Sequence, residues 1–264
     1  MRALLLPIAG LLLAGCGTMS NGRRWGEDVT LLPGWDRLGT AVTDAATNAW
    51  TWVPLAGAGV VAVAGWDDNI SSWAQKHAPI FGDPTSAGDA SSTLRGVGQI
   101  AWITSLIATP SGDDPLDWTG DKLKGFAVEW TAESLTNWST QWLKSAFPRE
   151  RPDGSGLGSF PSSGASETMS FTTLAKLNLE ATPMSSGVRT PMEIGLDGVA
   201  VAEAWSRIEA GKHHPTDVMV GLSLGNFVTR FVHDAFMGLP QDMGLSAYVD
   251  PNGGTFVLGF SCRF

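Results

Sequence analysis

Arg207, His213 and Asp217 lie within the segment SRIEAGKHHPTD, Ser206 to Asp217, where a guanidinium, an imidazole and a carboxylate fall at fixed spacing across a turn. A guanidinium can grip two oxygens of an anion in its planar fork. An imidazole held at one nitrogen by a carboxylate keeps the other nitrogen as a nucleophile. A second cationic pair, Lys144 and Arg151, stands upstream in KSAFPRERP. There Pro148 and Pro152 stop a helix and stiffen the segment after it, so a lysine from the helix end and an arginine from the loop can converge on one anion. Cations that gather an anion and an imidazole nitrogen left free as a nucleophile are the chemistry these residue types offer.

These side chains need helices to hold them. Gly198 to Ala210 is apolar at helical spacing (Val199, Ala202, Trp205, Ile208), and Gly211 stands where a left-handed cap is expected. Pro215 suits the first turn of a second helix running through Val218, Leu222, Phe227 and Val228. His213 then sits at that helix's mouth, where unpaired N–H groups favour an anion, and Asp217 one turn inside it, within reach of the imidazole. Upstream, Lys122 to Ala146 predicts a long helix with Leu123, Ala127, Trp130, Trp138 and Trp142 on one face, read as core packing. Val53 to Trp66 reads as a buried helix, too short to span a bilayer comfortably. Breakers make Ala78 to Ser92 a loop and end the next helix at Pro110 to Pro115.

The spacings Lys144-x6-Arg151-Pro152 and Ser206-Arg207-x5-His213-x3-Asp217 resemble the first and third signatures of the type 2 phosphatidic-acid phosphatase superfamily, which includes the bacterial class A acid phosphatases and the vanadium haloperoxidases. The middle signature departs. The family pattern SFPSGHAS is here SFPSSGAS, Ser159 to Ser166, so Ser162 matches the phosphate-binding serine while Gly164 takes the place of the general-acid histidine. The resemblance implies an all-α helical bundle of the acid phosphatase and haloperoxidase type. It implies Lys144, Arg151, Ser162 and Arg207 as phosphate ligands, His213 as the attacking nucleophile and Asp217 as its orienting partner, with no metal or cofactor. Glu167, Glu150 and His214 are nearby candidates to replace the acid. Without one, alkyl phosphates should suffer more than aryl phosphates, whose leaving groups need protonation least.

The N-terminus fixes an expected address. Residues 1–15, a basic start followed by an apolar run, read as a signal peptide, and LAGC, Leu13 to Cys16, resembles a bacterial lipobox: cleavage before Cys16, lipid on Cys16, and a protein anchored in the cell envelope. Gly17 after the cysteine favours the outer membrane, facing the periplasm. Residues 16–40 are polar and glycine-rich and are expected to be a tether, 41–244 the helical domain, and 245–264 a small C-terminal β-hairpin turning at PNGG, Pro251 to Gly254. A net charge of −9 without basic stripes disfavours nucleic acid; the partner that the resemblance implies is a phosphate-containing small molecule or lipid. The function expected is a lipid-anchored phosphatase acting on phosphomonoesters or lipid pyrophosphates through a phosphohistidine. The alternative is a non-catalytic phosphate-binding lipoprotein, and a vanadate-dependent peroxidase comes third because that branch also uses the middle histidine.

Overall fold

Caps and prolines set the helix limits in the computed structural model, which describes residues 15–238, 243–249 and 256–262. Helices α1 (Gly34–Thr47) and α2 (Ala49–Ala64) part at Asn48, whose side chain accepts from Trp50 N at 3.0 Å. Helix α3 spans Asp67–His77. Asp83 accepts from the N–H groups of Thr85 and Ser86 and starts α4, Pro84–Ala108, so the expected loop is helix from Pro84 onward. Asp114 caps α5, Pro115–Ala146, in the same way. Then come α6 (Ser163–Ala181), α7 (Ser186–Glu209) and α8 (Pro215–Phe236). Strand β1 (Met243–Val249) pairs antiparallel with β2 (Phe256–Cys262), Met243 opposite Cys262. The PNGG turn and nearly all of the expected signal peptide lie outside the described residues.

Helix α6 is the axis of the bundle, with α4, α5, α7 and α8 packed around it. Almost all of it is buried, yet it is rich in hydroxyls: Ser166, Thr168, Ser170, Thr172 and Thr173 are without exposure. Most of these hydroxyls bond to one another or to the preceding turn, as in Thr140 to Thr136 O at 2.8 Å, Thr140 with Ser166 at 2.9 Å, and Thr229 to Ser170 at 2.8 Å, while Thr168 Oγ1 has no partner among the described residues. Gly221 and Gly225 let α8 approach closely: a Cβ on either would strike the carbonyl of Ser162 or of Ser166. That contact brings the N-termini of α6 and α8 together.

Three expectations are overturned. On α5 the face buried against the bundle is small or polar (Gly125, Val128, Glu129, Ala132, Thr136, Thr140), whereas Trp130, Trp138 and Trp142 are 54%, 65% and 58% exposed. Val53, Leu55, Val60, Val63 and Trp66 on and after α2 are exposed as well. Residues 16–40 are not a loose tether. Trp25 is fully buried with its ring against Gly125, Met19 joins the same core, and Arg24 pairs with Asp117 and Asp121 at 2.9 and 2.7 Å. A single indole with a pocket to fill outweighs the polar composition around it. Among the described residues no single helix is long and apolar enough to cross a membrane; the bent pair α2 and α3 passes that test by length and composition.

Candidate active site

The turn between α7 and α8 delivers the imidazole. Gly211 takes a left-handed φ of 69° after α7, and the backbone N–H groups of Lys212 and His213 return to the carbonyl of Arg207. His213 is buried, and its Nδ1 donates to the carbonyl oxygen of Ser159 at 2.6 Å. A carbonyl can only accept, so the proton is held on Nδ1 and the lone pair on Nε2. Burial, then Arg207 and Lys144, hold the imidazole well below its ordinary pKa, so it stays neutral and nucleophilic into mildly acidic solution.

Asp217 does not touch the imidazole. One oxygen accepts from Ser159 Oγ at 2.6 Å and His214 N at 2.8 Å, the other from Arg149 at 2.7 Å. The expected pair is therefore a three-part link in which Asp217 fixes Ser159 and the Ser159 carbonyl fixes His213. Asp217 has this position because it closes a capping box with His214 at the start of α8. Arg149 extends the frame: it also donates to Thr216 Oγ1 at 2.8 Å and to Asp67 at 2.9 Å, and Asp67 accepts from Thr216 N at 3.0 Å. Neither Arg149 nor Asp67 falls in a recognised spacing. Only the alternation of charges in RERPD hints at a buried partner.

A cavity of about 360 Å³ opens beside the ring, lined by Lys144, Arg151, Arg207 and His213 together with Arg95, Ser91, Ser92, Gln141, Gly158, Ser163 and Gly164. Four of the expected residues thus converge on one space, and α4 adds a further cation that the sequence did not reveal. Lys144 donates to the carbonyls of Gly158 and Pro161 at 2.7 and 2.6 Å, leaving one of its three N–H groups for an anion. Burial, with Arg151 and Arg207 nearby, lowers its pKa to about 8. The Nε groups of Arg151 and Arg207 are buried donors with no acceptor among the described residues, a cost that an oxyanion would relieve.

Ser162 stands outside the lining. It is fully buried as the N-cap of α6, accepting from Ala165 N at 3.4 Å, and it is Ser163 and Gly164 in the next positions that face the cavity. The first turn of α6, with its unpaired N–H groups, is therefore what this segment offers an anion. At Gly164 the place of a side chain is taken: a Cβ there would run into Oε1 of Glu203 and lie 3.1 Å from its Cδ. Glu203 is fully buried on α7, one turn before Arg207, and accepts from Ser91 Oγ at 2.9 Å. The three candidate acids fare less well. Glu150 is exposed and away from the cavity, Glu167 is paired with Arg95 at 3.2 Å, and His214 bonds to Ser71 and to the Glu150 carbonyl at 3.3 and 3.4 Å.

Residues 130–239 match the family model of the PAP2 superfamily, a span that holds Lys144, Arg151, Arg207 and His213 but not the α4 residues of the lining. Among solved structures the chain is similar to one described as the crystal structure of the first transmembrane PAP2 type phosphatidylglycerolphosphate phosphatase, from Bacillus subtilis. The identity is 21%, with 70% of this chain and 92% of that chain covered, at a TM-score of 0.48. No curated protein matches the chain.

Proposed function

We propose, from the match of residues 130–239 to the PAP2 superfamily model, that this protein is a lipid-anchored phosphatase that cleaves phosphomonoesters or lipid pyrophosphates through a phosphohistidine on His213. The observation that carries it is the meeting of Lys144, Arg151 and Arg207 with His213 on one cavity. The cations take the equatorial oxygens of the phosphoryl group, where their stabilisation grows as charge spreads in the transition state. His213 Nε2 forms the P–N bond as the P–O bond to the leaving group breaks. The imidazole becomes cationic, and the carbonyl of Ser159, a residue held by Asp217, continues to accept from its Nδ1–H in what is now a charge-assisted hydrogen bond. Water then cleaves P–N and releases phosphate.

Cys16 is exposed, which suits a lipid anchor that keeps the protein in the outer membrane with its cavity open to the periplasm. Exposed indoles such as Trp138 suit contact with a lipid interface. The test is turnover of nitrophenyl phosphate with vanadate as competitor: the wild type is expected to hydrolyse it and vanadate to inhibit. Phosphate binding without turnover would favour the non-catalytic lipoprotein. Separately, Cys16→Ser should move the protein from the membrane to the soluble fraction; retention would place the attachment elsewhere.

A further inference from the structure

We propose that Glu203, acting through the hydroxyl of Ser91, supplies the proton to the leaving-group oxygen and so replaces the histidine that Gly164 omits; this rests on the phosphatase function above. The geometry begins at Gly164. A side chain at that position would point into the volume that the Glu203 carboxyl fills, since its Cβ would strike Oε1 and lie 3.5 Å from Arg207 Cδ. The absent acid and the buried carboxyl therefore compete for one space, and this chain has chosen the carboxyl. Glu203 does not itself line the cavity, but Ser91 does, together with Gly164, Arg207 and His213. Ser91 Oγ is 2.9 Å from Glu203 Oε1 and 3.4 Å from Arg207 Nη1.

Counting donors and acceptors shows how the pair works. With Glu203 protonated, Ser91 Oγ accepts from the carboxyl and from Arg207, and its own hydrogen is left to point at a leaving oxygen in the cavity. Glu203 Oε2 is buried and has no hydrogen-bond partner among the described residues, a cost that is smaller for the neutral acid than for the carboxylate. Burial accordingly raises its pKa to about 7, against the opposing pull of the Ser91 hydrogen bond and Arg207. The charged groups that face it are Arg95 from α4, Glu167 from α6 and Arg207 from α7, the first two paired with each other.

In the first step His213 Nε2 bonds to phosphorus and the P–O bond breaks. The departing oxygen takes the Ser91 hydrogen as Ser91 takes that of Glu203, leaving a carboxylate. In the second, water attacks the phosphohistidine and loses a proton through Ser91 to Glu203, the P–N bond breaks, and phosphate leaves with both residues restored. The relay needs no co-reactant beyond water.

The test compares glycerol phosphate, with a basic alkoxide leaving group, and nitrophenyl phosphate, which needs little protonation. Glu203→Gln is expected to lower kcat on glycerol phosphate by about 10²- to 10⁴-fold and on nitrophenyl phosphate by less than about tenfold. Ser91→Ala should act in the same way, and vanadate inhibition should hold in both variants. In the wild type the glycerol phosphate rate should fall as pH rises through about 7, where Glu203 ionises, and that limb should vanish in Glu203→Gln. Gly164→His alone should lower activity because the imidazole meets the carboxyl, while Gly164→His with Glu203→Ala should recover alkyl turnover. Equal losses on the two substrates, or alkyl turnover untouched by Glu203→Gln and Ser91→Ala, would overturn the relay while leaving the phosphatase standing. A wild type that hydrolyses neither substrate would overturn both.

Discussion

Glu129 on α5 and Glu203 on α7 are fully buried carboxyls whose pKa burial raises to about 7, but they face different things. Glu129 lies inside the bundle, where Oε2 accepts from Trp102 Nε1 at 2.5 Å and Asn178 Nδ2 at 3.3 Å, with His233 and Lys122 near enough to oppose the shift. Neither of these two hydrogen-bond partners lines the cavity. Glu203 has fewer partners but one of them, Ser91, opens onto the space that holds His213. An unusual pKa follows from burial alone; a use for it follows from a route by which the proton can leave.

The sharpest break of that contrast is His213→Ala, which should reduce turnover of any phosphate ester by at least about 10⁴-fold, the scale on which loss of a nucleophile or its base is felt. Retained activity would mean that the chemistry is elsewhere and that Glu203 has no more purpose than Glu129. Next in size, Arg207→Ala removes a phosphate clamp and a donor to Ser91, so a kcat loss of about 10²- to 10³-fold is expected, larger on alkyl than on aryl substrates. Vanadate should bind more weakly as well, which separates this variant from Glu203→Gln.

Glu129→Gln should leave both turnovers within about twofold, yet change how stability depends on pH. With a folded pKa of about 7 against an ordinary 4.5, the protonated Glu129 favours the folded state; that contribution is complete below the ordinary value and is lost as pH rises through about 7. The swing amounts to roughly 3 kcal/mol, and urea unfolding at about pH 5 and about pH 8 should show it diminished in the variant. An activity loss comparable to that of Glu203→Gln would erase the distinction between the two carboxyls. The smallest effect is expected outside both regions: Trp138→Ser, on an exposed face, should alter unfolding free energy by no more than about 0.5 kcal/mol.

The turn that presents His213 was legible because punctuation fixes it: Gly211 for the left-handed residue, Pro215 for the helix start, Arg207 and His213 counted from them. Its partners were less so. Spacing places Asp217 one turn inside α8 but cannot show that its carboxylate turns to cap that helix and meets Ser159 and Arg149 in place of the imidazole. Glu203 was missed because it sits in a helix of ordinary appearance. Its one signal is phase, a carboxylate on the stripe shared by Ala200, Ala204 and Ile208, all buried. The face of α5 was assigned to the wrong side for a related reason. Periodicity reveals that a helix has two faces, and the larger apolar one is ordinarily inside. Here α6 offers hydroxyls and close approach, so the small face of α5 packs inward and the tryptophans remain outside.

The most direct test of the central claim is to trap the covalent intermediate. The protein would be mixed rapidly with nitrophenyl phosphate, quenched in alkali, where a phosphoryl–nitrogen bond survives, and digested for mass spectrometry. The peptide containing His213 is expected to carry one phosphoryl group, present in the wild type and Glu129→Gln and missing in His213→Ala. Turnover with no phosphoryl group on His213, or with it on another residue, would contradict the account.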